Sequence, residues 1–268
     1  MGYYVRTDQG TKLFVEDIGK GRPVLFIHGW PLNHKMFEYQ FDVLPAYGVR
    51  CIGIDLRGFG RSDRPFSGYS YDRLADDIKN VVDALRLTSF TLVGFSMGGA
   101  IAIRYTSRHG KGRIRQLILA GAAAPVFTRR PDFPYGMPVE EVNKLIKQAY
   151  EDRPKMLAEF GKLFFANPIS DSFQTWFFGL NLDAAGHSTI HTAVSLRDED
   201  LRPDLKHIHA PTYILHGKKD RICPFELALQ MKASIPYSAL VPFEMSGHGL
   251  FYEEWEKFNR ELLKVIWS

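Results

Sequence analysis

The chain predicts an α/β fold: a mainly parallel sheet with helices on both faces and a block of helices placed before the last two strands. Two observations carry this. Short apolar runs, several ending in glycine, recur along the sequence, as strands buried on both faces require. Between them lie stretches with apolar residues every three or four positions, the period of an amphipathic helix. Strands alternating with helices imply a parallel sheet, since each helix crosses over to the next strand. A chain of 268 residues is long enough for one large domain of this kind.

"TKLFVED" (Thr11–Asp17) alternates and pairs as a hairpin with Tyr3–Arg6. "PVLFIHG" (Pro23–Gly29) is a continuous apolar run, and Val49–Gly58, Phe90–Ser96, Ile114–Ala122, Ala210–Gly217 and Ala239–Met245 repeat it. Helical periods fill Asp72–Leu87, Met97–His109, Phe225–Ile235 and Phe251–Trp267. From about Ala123 to Arg202 no strand-like run occurs. That stretch opens with "PVFTRRPDFPYGMP" and turns helical over Val139–Glu151, Pro154–Phe165, Ser170–Leu180 and Ala185–Leu196. Residues 123–205 are therefore expected to cap the carboxyl ends of a core made from 1–122 and 206–268, where open α/β sheets bind ligands.

Apolar residues make up 45% of the chain and charged residues 24%, which suits a globular protein and excludes wholesale disorder. The net charge of +4 is spread thinly, with pairs such as Arg129-Arg130 and no long basic run, so no nucleic-acid partner is expected. No segment is apolar for the roughly 18 residues that a membrane helix needs, and the N-terminus has no signal-peptide pattern. Cys51 and Cys223 both fall among apolar neighbours and predict buried free thiols in a reducing, cytoplasmic setting.

The stretch "LVGFSMGGAIAIRY" (Leu92–Tyr105) carries the chemistry. It is a strand, then Gly94-Phe95-Ser96-Met97-Gly98, then a helix: G-x-S-x-G in the context that the motif needs. Such a turn presents a serine hydroxyl at a helix N-terminus, whose dipole favours negative charge. A serine is a weak nucleophile without a base, and the base needs a carboxylate to orient it. In the chain order Ser, Asp, His, the loop after Ala210–Gly217 supplies Asp220 and the loop after Ala239–Met245 supplies His248. Met97 offers one backbone N–H for an oxyanion and Trp30 offers a second; Pro31 has none.

Other candidates have structural roles on this reading. His28 braces its loop, His216 at the end of its strand is structural, Asp55 belongs to a hydrogen-bonded loop, and His34, His109, His187 and His191 are packing or surface residues. His207 and His209 lack the further ligands of a zinc site, so no metal is expected. Phe127, Phe133, Phe160, Phe164 and Phe165 give the capping stretch an aromatic character suited to an apolar acyl pocket, and Ile222 and Cys223 follow Asp220 closely enough to line it.

On "HGWPLNHKMFEYQ", "DLRGFGRSDRP", "GFSMGGAIAIRYTSRHG", "PTYILHGKKDRICP" and "SGHGL", the chain resembles the α/β-hydrolase superfamily over essentially its whole length. It is similar in particular to the bacterial branch of cofactor-free haloperoxidases, perhydrolases, arylesterases and γ-lactamases. The resemblance implies an α/β-hydrolase fold, Ser96 as nucleophile, His248 as base, Asp220 as its orienter, and Trp30 and Met97 as oxyanion donors. It also implies a small-molecule ester or related acyl substrate and no cofactor. In that branch hydrogen peroxide can replace water and yield a peracid that oxidises halide. Lactonases, amidases and carbon–carbon bond hydrolases keep the same triad, as do small-molecule sensors of this fold. Dehalogenases and epoxide hydrolases place an aspartate at the turn, against Ser96.

Overall fold

A computed structural model describes residues Met1–Ser268. All the strands expected from the sequence are present: β1 (Gly2–Arg6), β2 (Lys12–Ile18), β3 (Arg22–Ile27), β4 (Val49–Ile54), β5 (Phe90–Phe95), β6 (Ile114–Ala120), β7 (Thr212–Gly217) and β8 (Ser238–Phe243). They form one sheet in the order β1-β2-β4-β3-β5-β6-β7-β8. The hairpin joins β4 antiparallel, and every pair from β4 to β8 runs parallel. The chain's direction of travel across the sheet reverses between β3 and β5. Their adjacent carboxyl ends form the crevice in which such sheets hold ligands.

The helices are α1 (Glu38–Phe41), α2 (Tyr71–Ala84), α3 (Met97–His109), α4 (Val139–Gly161), α5 (Asp171–Leu182), α6 (Gly186–Asp198), α7 (Arg202–Leu205), α8 (Phe225–Ser234), α9 (Leu250–Glu253) and α10 (Trp255–Trp267). α2 packs on α3, and α7 links α3 to α8, while α1, α9 and α10 pack together as a separate group. One continuous apolar cluster runs from the β-sheet through these layers into α4, α5 and α6. Within it, Arg57 donates to Asp77 at 2.5 and 2.7 Å, both side chains buried. Burial pushes the Asp77 carboxyl up, even against the paired guanidinium that draws it down.

The structure refines the sequence reading at several element ends and turns. Short helical turns occupy His34–Phe37 and Leu44–Tyr47, where no periodic pattern spans enough residues to show. The two helices expected on either side of Glu151–Pro154 are both present within α4: Asp152 leaves helical geometry between them (φ −153°, ψ 79°), its carboxylate accepts the Lys155 N–H, and Pro154, which lacks an N–H, falls in the first turn of the second. The second ends at Gly161 rather than Phe165, which frees Phe164 and Phe165 to turn inward. The final helix is likewise broken at Glu254 (φ −125°, ψ 47°).

Candidate active site

Ser96 ends β5 and begins α3 with φ 53° and ψ −120°, a backbone conformation that L-residues seldom adopt. The glycines around it permit the turn by allowing close approach. A Cβ on Gly94 would stand 2.4 Å from the Gly98 carbonyl oxygen, and one on Gly98 would stand 2.3 Å from that of Ile27. Ser96 is nearly buried, its hydroxyl at the N-terminus of a 13-residue helix. Neither the Trp30 nor the Met97 backbone N–H is donated to another group in the chain.

Asp220 and His248 reach the same region from the loops after β7 and β8. Asp220 Oδ1 accepts the backbone N–H groups of Ile222 and Cys223, both at 2.8 Å, which fixes the carboxylate. Its Oδ2 lies 2.7 Å from His248 Nδ1. An ionised carboxylate only accepts, so His248 carries its proton on Nδ1 and Nε2 is left with a free lone pair. That Nε2 is buried and has no hydrogen-bond partner, and none links it to Ser96 Oγ. The rings of Phe95 and Phe164 hold the imidazole, with centroids 4.7 and 5.0 Å away. Phe95 precedes the serine, so one strand end contributes both the hydroxyl and a wall for the imidazole.

An apolar cavity of about 10 Å³ adjoins Ser96, lined by Trp30, Phe127, Val142, Leu145, Phe160, Ala193, Leu196 and Ile222. Trp30 and Ser96 thus face one chamber. Of the residues expected in a pocket, Phe127, Phe160 and Ile222 line it. Cys223 does not; its thiol is buried, and burial pushes it well above its ordinary range. Phe133 packs instead on Tyr135, while Phe165 joins Phe173, Phe177 and Tyr252. A cleft of about 550 Å³ shares Leu145, Phe160 and Ile222 with the cavity as lining residues. Another cleft, about 660 Å³ between α4 and α5, contains neither Ser96 nor His248.

Trp30 makes contacts that its position in the sequence does not signal. Its indole N–H donates to the Thr189 carbonyl in α6 at 2.9 Å, and its ring meets Phe160 edge-on, so it joins the helical excursion to the sheet. His28 is a brace, as expected: Nε2 accepts the Leu56 N–H at 3.0 Å and Nδ1 donates to the Gly29 carbonyl. His216 donates Nε2–H to the Cys223 carbonyl at 2.7 Å, which supports the Asp220 loop. Asp55 accepts from the backbone N–H groups of His34 and Arg61 and contacts His34 Nδ1 at 2.6 Å. Burial works to raise the Asp55 carboxyl, yet the contacts from His34 and the Arg61 N–H hold it below its ordinary value. No group of three His, Cys, Asp or Glu side chains converges as a metal site would require.

The alpha/beta hydrolase fold family matches residues 22–185. The AB hydrolase superfamily protein YisY of Bacillus subtilis (strain 168) is 56% identical over 259 residues, 97% of either chain. Among solved structures, an esterase from Exiguobacterium antarcticum superposes with a TM-score of 0.98 at 51% identity, covering 100% of both chains. A bromoperoxidase from Bacillus anthracis superposes with a TM-score of 0.97 at 34% identity, again over 100% of both. Eight strands in this order, a serine at the strained end of β5 and these likenesses together place the chain in the α/β-hydrolase superfamily.

Proposed function

We propose that the protein is a serine hydrolase of short-chain carboxylic esters, working through an acyl-enzyme on Ser96. The observation that carries this is the Asp220–His248 contact at 2.7 Å, which leaves an unpartnered imidazole Nε2 buried beside the turn that bears the serine. His248 Nε2 takes the Ser96 proton as Oγ attacks the ester carbonyl. The carbonyl oxygen gains charge against the Trp30 and Met97 N–H groups, assisted by the N-terminus of α3. His248 then protonates the departing alcohol, and a water activated by the same nitrogen releases the acid. Residues 123–205 act as the cap that keeps this chamber dry, over a core of 1–122 and 206–268.

The apolar lining of the cavity favours an apolar acyl group, and Phe127, Phe160 and Ile222 are the walls that would limit its length. Perhydrolysis is a secondary activity: hydrogen peroxide attacks the acyl-enzyme in place of water and leaves as a peracid. Likeness to a bromoperoxidase supports this second arm, and likeness to an esterase supports the first. The chemistry needs no cofactor. Two buried free thiols favour a reducing, cytoplasmic compartment.

A substrate panel tests the reading. p-Nitrophenyl acetate is hydrolysed fastest, with rates falling towards the octanoate. Ile222→Ala and Phe160→Ala shift the optimum to longer chains. Acetate with peroxide gives peracetic acid slowly. Turnover of lactones or amides with none of esters would transfer the assignment to those classes. A single turnover followed by a stable adduct would indicate a sensor.

A further inference from the structure

Glu253, four residues beyond the catalytic-site loop in α9, makes an unusual set of contacts that the triad does not explain. Its Oε1 accepts the backbone N–H groups of Ala166 and Asn167 at 2.8 and 2.9 Å and the Asn167 side-chain amide at 2.8 Å. Its Oε2 accepts the backbone N–H of Gly247, next to His248, at 2.7 Å. A single carboxylate therefore fastens the loop that follows α4 to the loop that carries the imidazole. The two are also joined directly, by Gly249 N–H donating to the Phe164 carbonyl at 2.7 Å, and Phe164 in turn packs its ring on His248. Gly247 leaves no slack, since a Cβ there would meet the Phe164 carbonyl oxygen at 2.9 Å.

We infer that Glu253 is a positioning residue: it locks the His248 loop to residues 164–167, so that the placement of the imidazole over Ser96 depends on the seating of the capping segment. All of the groups facing the carboxylate are N–H donors. A glutamine cannot satisfy them, because its amide nitrogen must face at least one donor. An aspartate keeps the charge and both acceptors on a stem shorter by one methylene. The inference rests on the reading of His248 as the base, and one of its tests does not depend on ester turnover.

The experiment compares wild type with Glu253→Gln and Glu253→Asp. Toward p-nitrophenyl acetate, the glutamine variant loses kcat on the order of tenfold to a hundredfold, the scale of a misplaced catalytic group, while KM stays within about twofold. The aspartate variant recovers part of the loss. In parallel, the downfield proton NMR signal of His248 Nδ1–H, identified by its loss in His248→Gln, is sharp in wild type and broadened or absent in Glu253→Gln. Circular dichroism confirms that the variants are folded. An unchanged Nδ1–H signal together with kcat within twofold of wild type would overturn the inference. So would a fall in kcat that only tracks the folded fraction. If wild type hydrolyses no ester, the functional reading fails, and the NMR comparison still decides whether Glu253 holds the imidazole.

Discussion

His248 Nδ1 lies 2.7 Å from Asp220 Oδ2, while Asp220 Oδ1 is occupied by two backbone N–H groups. This division of the carboxylate makes a sharp prediction for Asp220→Asn. The N–H donors of Ile222 and Cys223 require an oxygen at the Oδ1 position, so the new amide nitrogen must face His248. The imidazole then accepts at Nδ1 and carries its proton on Nε2, where a base needs a lone pair. kcat toward p-nitrophenyl acetate falls by about 10⁴-fold, the loss that a wrong tautomer causes in other triads, with the fold intact by circular dichroism. A loss below tenfold would mean that this contact does not set the tautomer.

The same substitution has opposite effects at two glycines. Gly98→Ala places a methyl 2.3 Å from the Ile27 carbonyl oxygen and 2.5 Å from that of His28, both backbone atoms that cannot turn away. The protein is expected to be insoluble or to lose several kcal/mol. Gly179 lies inside α5 with nothing within 4 Å of an added Cβ, so Gly179→Ala stabilises by about 0.5–1 kcal/mol through helix propensity. Urea denaturation midpoints check both.

Burial pushes His28 from 6.5 down to about 4. The unfolded chain therefore binds a proton between those values that the folded chain refuses. Stability is full above about pH 6.5 and declines as pH falls towards 4, by roughly 3 kcal/mol for this one group. His216, also lowered by burial, adds to the decline with the same sign. Urea unfolding from pH 7 to pH 4 should show this slope, and His28→Gln should reduce it by about one proton. An unchanged slope in the variant would assign the effect elsewhere.

Both cysteines are fully buried, and burial pushes Cys51 to about 12 and Cys223 well above its ordinary value. Neither forms the thiolate that reacts with disulfide reagents. Native protein should leave 5,5′-dithiobis(2-nitrobenzoic acid) unreacted over minutes and titrate both thiols in urea. Fast native labelling of Cys223 would show that the loop after β7, which carries Asp220, opens readily to solvent.

The strands, the turn at Ser96 and the order of the loops bearing Asp220 and His248 were legible because each depends on local pattern: apolar runs, close glycines and position after a strand. Features set by packing between distant segments were not. Nothing near Trp30 announces that its indole reaches the Thr189 carbonyl, nor does "SGHGLFYEE" announce that Glu253 reaches Ala166 and Asn167. The aromatic composition of residues 123–205 pointed to a pocket, but it could not separate Phe127 and Phe160, which line the cavity, from Phe164, which holds His248. His34 offered no signal for its contact with Asp55, because the residues are 21 apart and meet only once β4 is in place.

Ester hydrolysis stands or falls with the Ser96 hydroxyl, and the kcat of Ser96→Ala for p-nitrophenyl acetate tests that most directly. The variant should keep the wild-type free energy of urea unfolding to within about 1 kcal/mol, since it removes one hydroxyl, and lose at least about 10³-fold in kcat. A folded alanine variant that retained most of its esterase activity would contradict the account.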